Sequence, residues 1–77
     1  MTDLEKLRDL LTGFGLTWKE EPYSSGEREE RHISVTDGTI LYLSEKDNGG
    51  KAAGYLFFYA DFIFDHDGAF VQVGFWE

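Results

Sequence analysis

Residues 55–64, Tyr-Leu-Phe-Phe-Tyr-Ala-Asp-Phe-Ile-Phe, constrain the fold more than any other part of the chain. Successive side chains of a strand point to opposite faces, so a half-buried strand alternates apolar and polar residues. This run does not. One face carries Leu56, Phe58, Ala60, Phe62 and Phe64; the other carries Tyr55, Phe57, Tyr59, Asp61 and Ile63. Both faces demand cover, and 77 residues leave few other elements to supply it. A chain of that length is expected to form one domain, residues 1–77, burying about 60% of the surface its unfolded form exposes. The core is thin, and aromatics, 17% of the residues, supply much of its volume.

Residues 2–13 read as a helix. Thr2 and Glu5 stand at capping-box spacing, and Asp3 and Glu5 suit the positive end of the helix dipole. Leu4, Leu7, Leu10, Leu11 and Phe14 form one apolar stripe, and Gly13 and Gly15 stop the helix. Strand and turn follow. Leu16–Glu20 and Arg31–Val35 alternate, with a polar loop over Pro22–Glu30 between them. Asp37-Gly38 supplies a tight turn, Thr39–Ser44 returns, and Glu45–Gly50 turns again. The long strand spans Ala53–Phe64, Asp65–Gly68 is a third turn, and Ala69–Trp76 is the last strand. Short connections pair sequential strands antiparallel. The expected fold is α+β: one N-terminal amphipathic helix packed on a four- to five-stranded antiparallel meander sheet.

The purely apolar sets belong under the helix: Leu56, Phe58, Phe62 and Phe64, then Val71, Val73 and Phe75, with Ile33 and Val35. The opposite face then shows Tyr55, Phe57, Tyr59, Phe70, Gln72 and Trp76, joined by Tyr42. Tyrosine and tryptophan suit surfaces buried part of the time, because they combine apolar area with a polar tip. Such a patch is either covered by the Pro22–Glu30 loop, self-associating, or built for a foreign partner. A bulge at Gly54 or Asp61 would shift the register and exchange the faces.

Fifteen acids against seven bases give a net charge of −8. Direct nucleic-acid binding needs a basic footprint, which this chain lacks, and anionic membranes repel it. The acidity serves solubility, or it recognises a basic surface, such as one that otherwise holds nucleic acid. The run Glu27-Arg28-Glu29-Glu30-Arg31 mixes signs and reads as a solvated loop and strand entry or as a mimic of spaced phosphates, and in the second reading Glu27, Glu29 and Glu30 join the aromatic set as candidate partner-binding residues. The chain has no cysteine, so disulfides and thiolate metal sites are excluded. No stretch of about 18 apolar residues is present to span a membrane. The N-terminus is charged, unlike a secretory leader, so a cytoplasmic protein is expected.

No constellation announces chemistry. Asp65-His66-Asp67-Gly68 places acids at alternate positions, but the further oxygen ligands of a calcium loop do not follow, and it reads as a turn. His32 and His66 are the only imidazoles, and no nucleophile elbow accompanies them. Asn48-Gly49-Gly50-Lys51 lacks the spacing of a phosphate loop and is also a turn. The expectation is a protein that is not an enzyme and uses no metal or cofactor.

The pattern Gly54-Tyr55-Leu56-Phe57-Phe58-Tyr59, through Phe62–Phe70, to Gly74-Phe75-Trp76-Glu77 resembles small acidic proteins encoded by phages and prophages of bacteria. The leucine-rich helix, Leu4–Leu11, resembles them too. The resemblance covers the last third of the chain and the helix, and it carries over no site residue. It implies an accessory protein that occupies a host protein, as inhibitors of host defence and anti-CRISPR proteins do. The expected function is binding and inhibition of a host protein with a basic nucleic-acid groove. The alternative is a self-associating structural or ligand-sequestering module, a homo-oligomer formed through the aromatic sheet face.

Overall fold

The computed structural model describes residues 1–24, 35–51, 54 and 56–76. One helix, α1 (Asp3–Gly13), precedes four strands: β1 (Lys19–Tyr23), β2 (Gly38–Ser44), β3 (Tyr59–Phe64) and β4 (Phe70–Trp76). The strands form one antiparallel sheet in the order β1-β2-β3-β4. The expected α+β meander is therefore present.

Both ends of α1 are built by local sequence. The Thr2 hydroxyl accepts from the Glu5 N–H at 3.1 Å, and the Glu5 carboxylate accepts from the Thr2 N–H at 2.8 Å, closing the capping box. That donation from the Thr2 backbone, then from its side chain, holds the Glu5 carboxyl below its usual range. At the other end Gly15 adopts φ 72°, its N–H donating to Thr12 O and the Leu16 N–H donating to Leu11 O. These two bonds close the helix, and both leucines are buried in one cluster. Leu4 and Leu11 are buried and Leu7 is half-buried, whereas Leu10 and Phe14, on the flank of the stripe, are exposed.

The first turn of α1 sits on the β3–β4 connection. The Leu4 N–H donates to Gly68 O, and the Phe70 N–H donates to the Asp3 carboxylate at 2.8 Å. Gly68 has φ 78°, and a Cβ there would stand 2.8 Å from Thr2 Cβ, so only glycine fits. Asp65 organises the same turn, accepting from the Asp67 and Ala69 N–H groups at 2.9 Å each. The other end of the sheet is tied by Asn48. Its amide bridges Thr17, accepting from the Thr17 N–H at 2.7 Å and donating to the Thr17 and Ser44 carbonyls at 3.0 Å. Beside it Glu45 is completely buried, its backbone N–H donating to Phe58 O.

Under the helix, Leu4, Leu11, Leu16, Leu41, Leu43 and Phe64 form the main core, flanked by Leu7, Trp18 and Phe62. A smaller cluster of Val35, Ile40 and Ile63 lies on the other face of the sheet, with Tyr23, Tyr42 and Val71 against it. The Arg8 guanidinium fastens α1 to β1 by two bonds to the Glu20 carboxylate, which also accepts from the Trp18 indole N–H at 2.8 Å.

Several expectations change. The aromatic run is not one long strand: β3 starts at Tyr59, and residues 56–57 are turn. Gly49, Gly50 and Gly54, all at positive φ, keep the chain turning after β2, so Leu56 is exposed and Phe57 is 81% exposed. The first strand lies later than expected, taking in Pro22 and Tyr23, and Pro22 is tolerated because β1 is an edge strand. Residues 31–34 lie outside the described residues; Val35, next to them, belongs to no strand and is buried on the face away from the helix. A bulge sits opposite Ile63 and Phe64: Phe64 pairs with Phe70 and Ile63 with Gln72, leaving Val71 extra. It turns Phe70 to the helix side, edge-on to Phe64 at 6.0 Å, and Val71 to the other side. Both are opposite to the alternation of the sequence.

Candidate binding face

The sheet face away from α1 gathers the polar-tipped aromatics. Register places Lys19 against Tyr42, Tyr42 against Asp61, and Asp61 against Gly74. Tyr59 pairs with Trp76 at the end of the same face, and the two rings stack at 5.1 Å with 14° between planes. Gly74 makes this geometry possible. A Cβ at Gly74 would stand 2.5 Å from Trp76 Cη2 and 3.1 Å from Asp61 Oδ1, so the indole lies down over the glycine beside the carboxylate. The result is a hollow of about 160 Å³, with Tyr23, Tyr42, Trp76, Asp61 and Gln72 around Ile40 and Ile63.

Among the described residues, Glu21 and Asp61 bring carboxylates close to Tyr42. Burial raises the Tyr42 phenol above its usual range, and the charges of Glu21 and Asp61 add to the effect. Tyr42 therefore stays a neutral donor and acceptor at physiological pH. Against these two carboxylates the face shows Lys19, which stands across from Tyr42.

Of the expected partner-binding residues, Tyr42, Tyr59 and Trp76 come together here, with Gln72 beside them. Phe70 does not join them, because the bulge turns it to the helix side. Phe57 is exposed in the turn before β3. Tyr55, Glu27, Glu29 and Glu30 lie outside the described residues. Sequence reasoning missed Tyr23, assigned to a loop, and the role of Asp61 at the centre of the face. The signal for Asp61 was present: it is the one charged residue in an otherwise aromatic and aliphatic run.

Among the described residues no group of three or more metal-ligating side chains occurs, and no helix is long and apolar enough to cross a membrane. His66 is exposed in its turn, 3.3 Å from Asp67. In comparisons with known proteins, no family model, curated protein or solved structure matches this chain.

Proposed function

We propose that this protein is a non-enzymatic binding module that engages a basic protein surface through the sheet face opposite α1. The observation that carries the reading is the Tyr59–Trp76 stack laid beside Asp61 in a hollow rimmed by Tyr23 and Tyr42. An arginine or lysine side chain fits this chemistry. Its cation is attracted to an aromatic ring, and its donors reach a carboxylate and phenol oxygens. Aromatic anchors ringed by polar groups are the usual centres of binding energy in protein interfaces. The net charge of −8 draws a cationic partner in from a distance. The resemblance to phage-encoded accessory proteins names the partner class to try first. These are bacterial cytoplasmic proteins with a basic nucleic-acid groove, defence nucleases and CRISPR effectors among them, which the bound protein would inhibit.

The test is a tagged pull-down from bacterial lysate at about 0.05 M and about 0.5 M salt, since screening separates charge-driven from apolar association. Asp61→Asn and Trp76→Ala are run beside the wild type, and captured proteins are read by mass spectrometry. A nucleic-acid-binding protein retained at low salt, released at high salt, lost with either variant and displaced by its own nucleic acid supports the reading. Binding indifferent to salt and to both variants refutes it.

A further inference from the structure

The two edges of the sheet are unlike. β1 is blunted in the usual ways: Lys19, Glu20 and Glu21 place charges on it, and Pro22 removes an N–H. β4 is the opposite edge and carries neither a charged residue nor a proline over Phe70–Trp76. Among the described residues no strand pairs with its outer side. The bulge at Val71 and the Phe70 N–H held by Asp3 close the start of this edge, and among the described residues Gln72–Trp76 is left as a template for another strand. On a chain of net charge −8, pairing of this segment with a second copy of itself sets no like charges of the strand opposite one another.

A second, independent feature adjoins that edge. α1 covers the sheet toward β2 and leaves β4 open on the helix side. There Leu7, Leu10, Phe62, Phe64 and Phe70, together with Asp3 and Lys6, line a mainly apolar groove of about 320 Å³. Phe75, on the same side, is 63% exposed although it packs on Phe58 at 5.8 Å. Within Gln72–Trp76, Phe75 is the exposed apolar side chain on this side.

We propose that β4 is a self-pairing edge through which two copies of this chain join antiparallel into one eight-stranded sheet. The regular part of the strand beyond the bulge is Gln72–Trp76, with Gly74 at its centre. A two-fold axis at Gly74 sets Val73 opposite the second copy's Phe75, and Gln72 opposite its Trp76. Phe75 gains an aliphatic cross-strand neighbour, a favoured pairing. Both helices lie on one side of the joined sheet and both aromatic hollows on the other. The hollows face away from the helices and adjoin the seam, because Gln72 and Trp76 line the hollow and also pair across the two-fold.

Sedimentation of the full chain from about 1 to about 500 µM covers the affinities of an interface smaller than the standard size. The expected mass moves from 8.8 kDa to twice that value across the series. Added salt strengthens the dimer by screening two like-charged chains, whereas it weakens binding to a basic partner, so the two ideas fail separately. Phe75→Lys abolishes the shift in mass. Phe57→Lys, which changes the net charge equally at an exposed turn, leaves it intact. Where Phe75→Lys does not fold, Gln72→Lys on the same strand takes its place. Hydrogen exchange of the wild type reads the interface without a variant: β4 amides gain protection as concentration rises. A mass of one chain at about 500 µM in about 0.5 M salt overturns the proposal. So does a dimer that survives both β4 lysines, or one whose added protection falls outside β4.

Discussion

Gly74→Ala separates the architecture of the binding face from the stability of the fold. Gly74 is not at positive φ, so its backbone accepts an alanine. The obstacle is the Trp76 ring, with Cη2 at 2.5 Å and Cζ3 at 2.8 Å from the new Cβ. Those atoms are the far end of an exposed side chain, and the ring moves rather than the strand. Leaving the Tyr59 stack forfeits about 0.5–1.5 kcal/mol. Replacing glycine by alanine restricts the unfolded chain and returns about 0.4–1 kcal/mol. The net change is within about 1 kcal/mol, against a total of roughly 4–12 kcal/mol for a domain of this size. Urea unfolding is therefore expected to give a midpoint near the wild-type value. The near-ultraviolet circular dichroism of the coupled Tyr59 and Trp76 rings falls, and affinity for a cationic partner falls with it. A stability loss above about 3 kcal/mol, a size found for core truncations, would refute the argument, because the strand would then be the part that gave way. An unchanged near-ultraviolet spectrum would refute it too, since the indole would not have been lying over Gly74.

Four further outcomes follow from the packing and charges. Phe64→Ala empties the most tightly enclosed aromatic site, 1% exposed between α1 and β2, and costs about 3–5 kcal/mol in denaturant unfolding. Phe57→Ala, at an exposed turn, stays within about 0.5 kcal/mol. Asn48→Ala releases the β2–β3 turn from Thr17 and costs about 1–3 kcal/mol, read as a lower thermal midpoint. The Arg8 hydrogen bonds, with the Trp18 indole assisting against burial, hold the Glu20 carboxyl below the usual carboxylate range. A carboxyl with a depressed folded pKa stabilises the fold above the unfolded value, and that contribution disappears as pH falls through the folded value. Glu20→Gln therefore lowers stability at pH 7 by at most about 1 kcal/mol, since Arg8 is partly in water. The difference from wild type vanishes in unfolding measurements carried well below pH 4.5.

What could be read along the chain was what short-range physics decides. The Thr2–Glu5 cap, the glycine stop at Gly15, the Asp65–Gly68 turn and the antiparallel meander all follow from local bonding and short connections, and all are present. That Tyr59 and Trp76 share one face was readable as well, because each lies in the part of its strand where alternation holds. The length of β3 was misread, since aromatic residues suggest strand wherever they occur. The three positive-φ glycines between β2 and β3 spend Leu56 and Phe57 in a turn instead.

Which face each side chain occupies was left to the tertiary structure. One extra residue at Val71 exchanges the faces of Phe70 and Val71, and nothing in the local sequence marks it. Its place is set where β4 must pair with β3 while the Phe70 N–H reaches Asp3 at the start of α1, 67 residues away. The clamp of Asn48 on Thr17 and the lie of the indole over Gly74 beside Asp61 are decided in the same way. Each joins groups that are distant along the chain or on different strands, and pattern within one strand carries no information about the strand across from it. Sequence determined that this protein has one amphipathic helix, a meander and more aromatic surface than the helix can cover. Only the packed sheet decided which rings sit beside the carboxylates and which strands, among the described residues, stand at its edges.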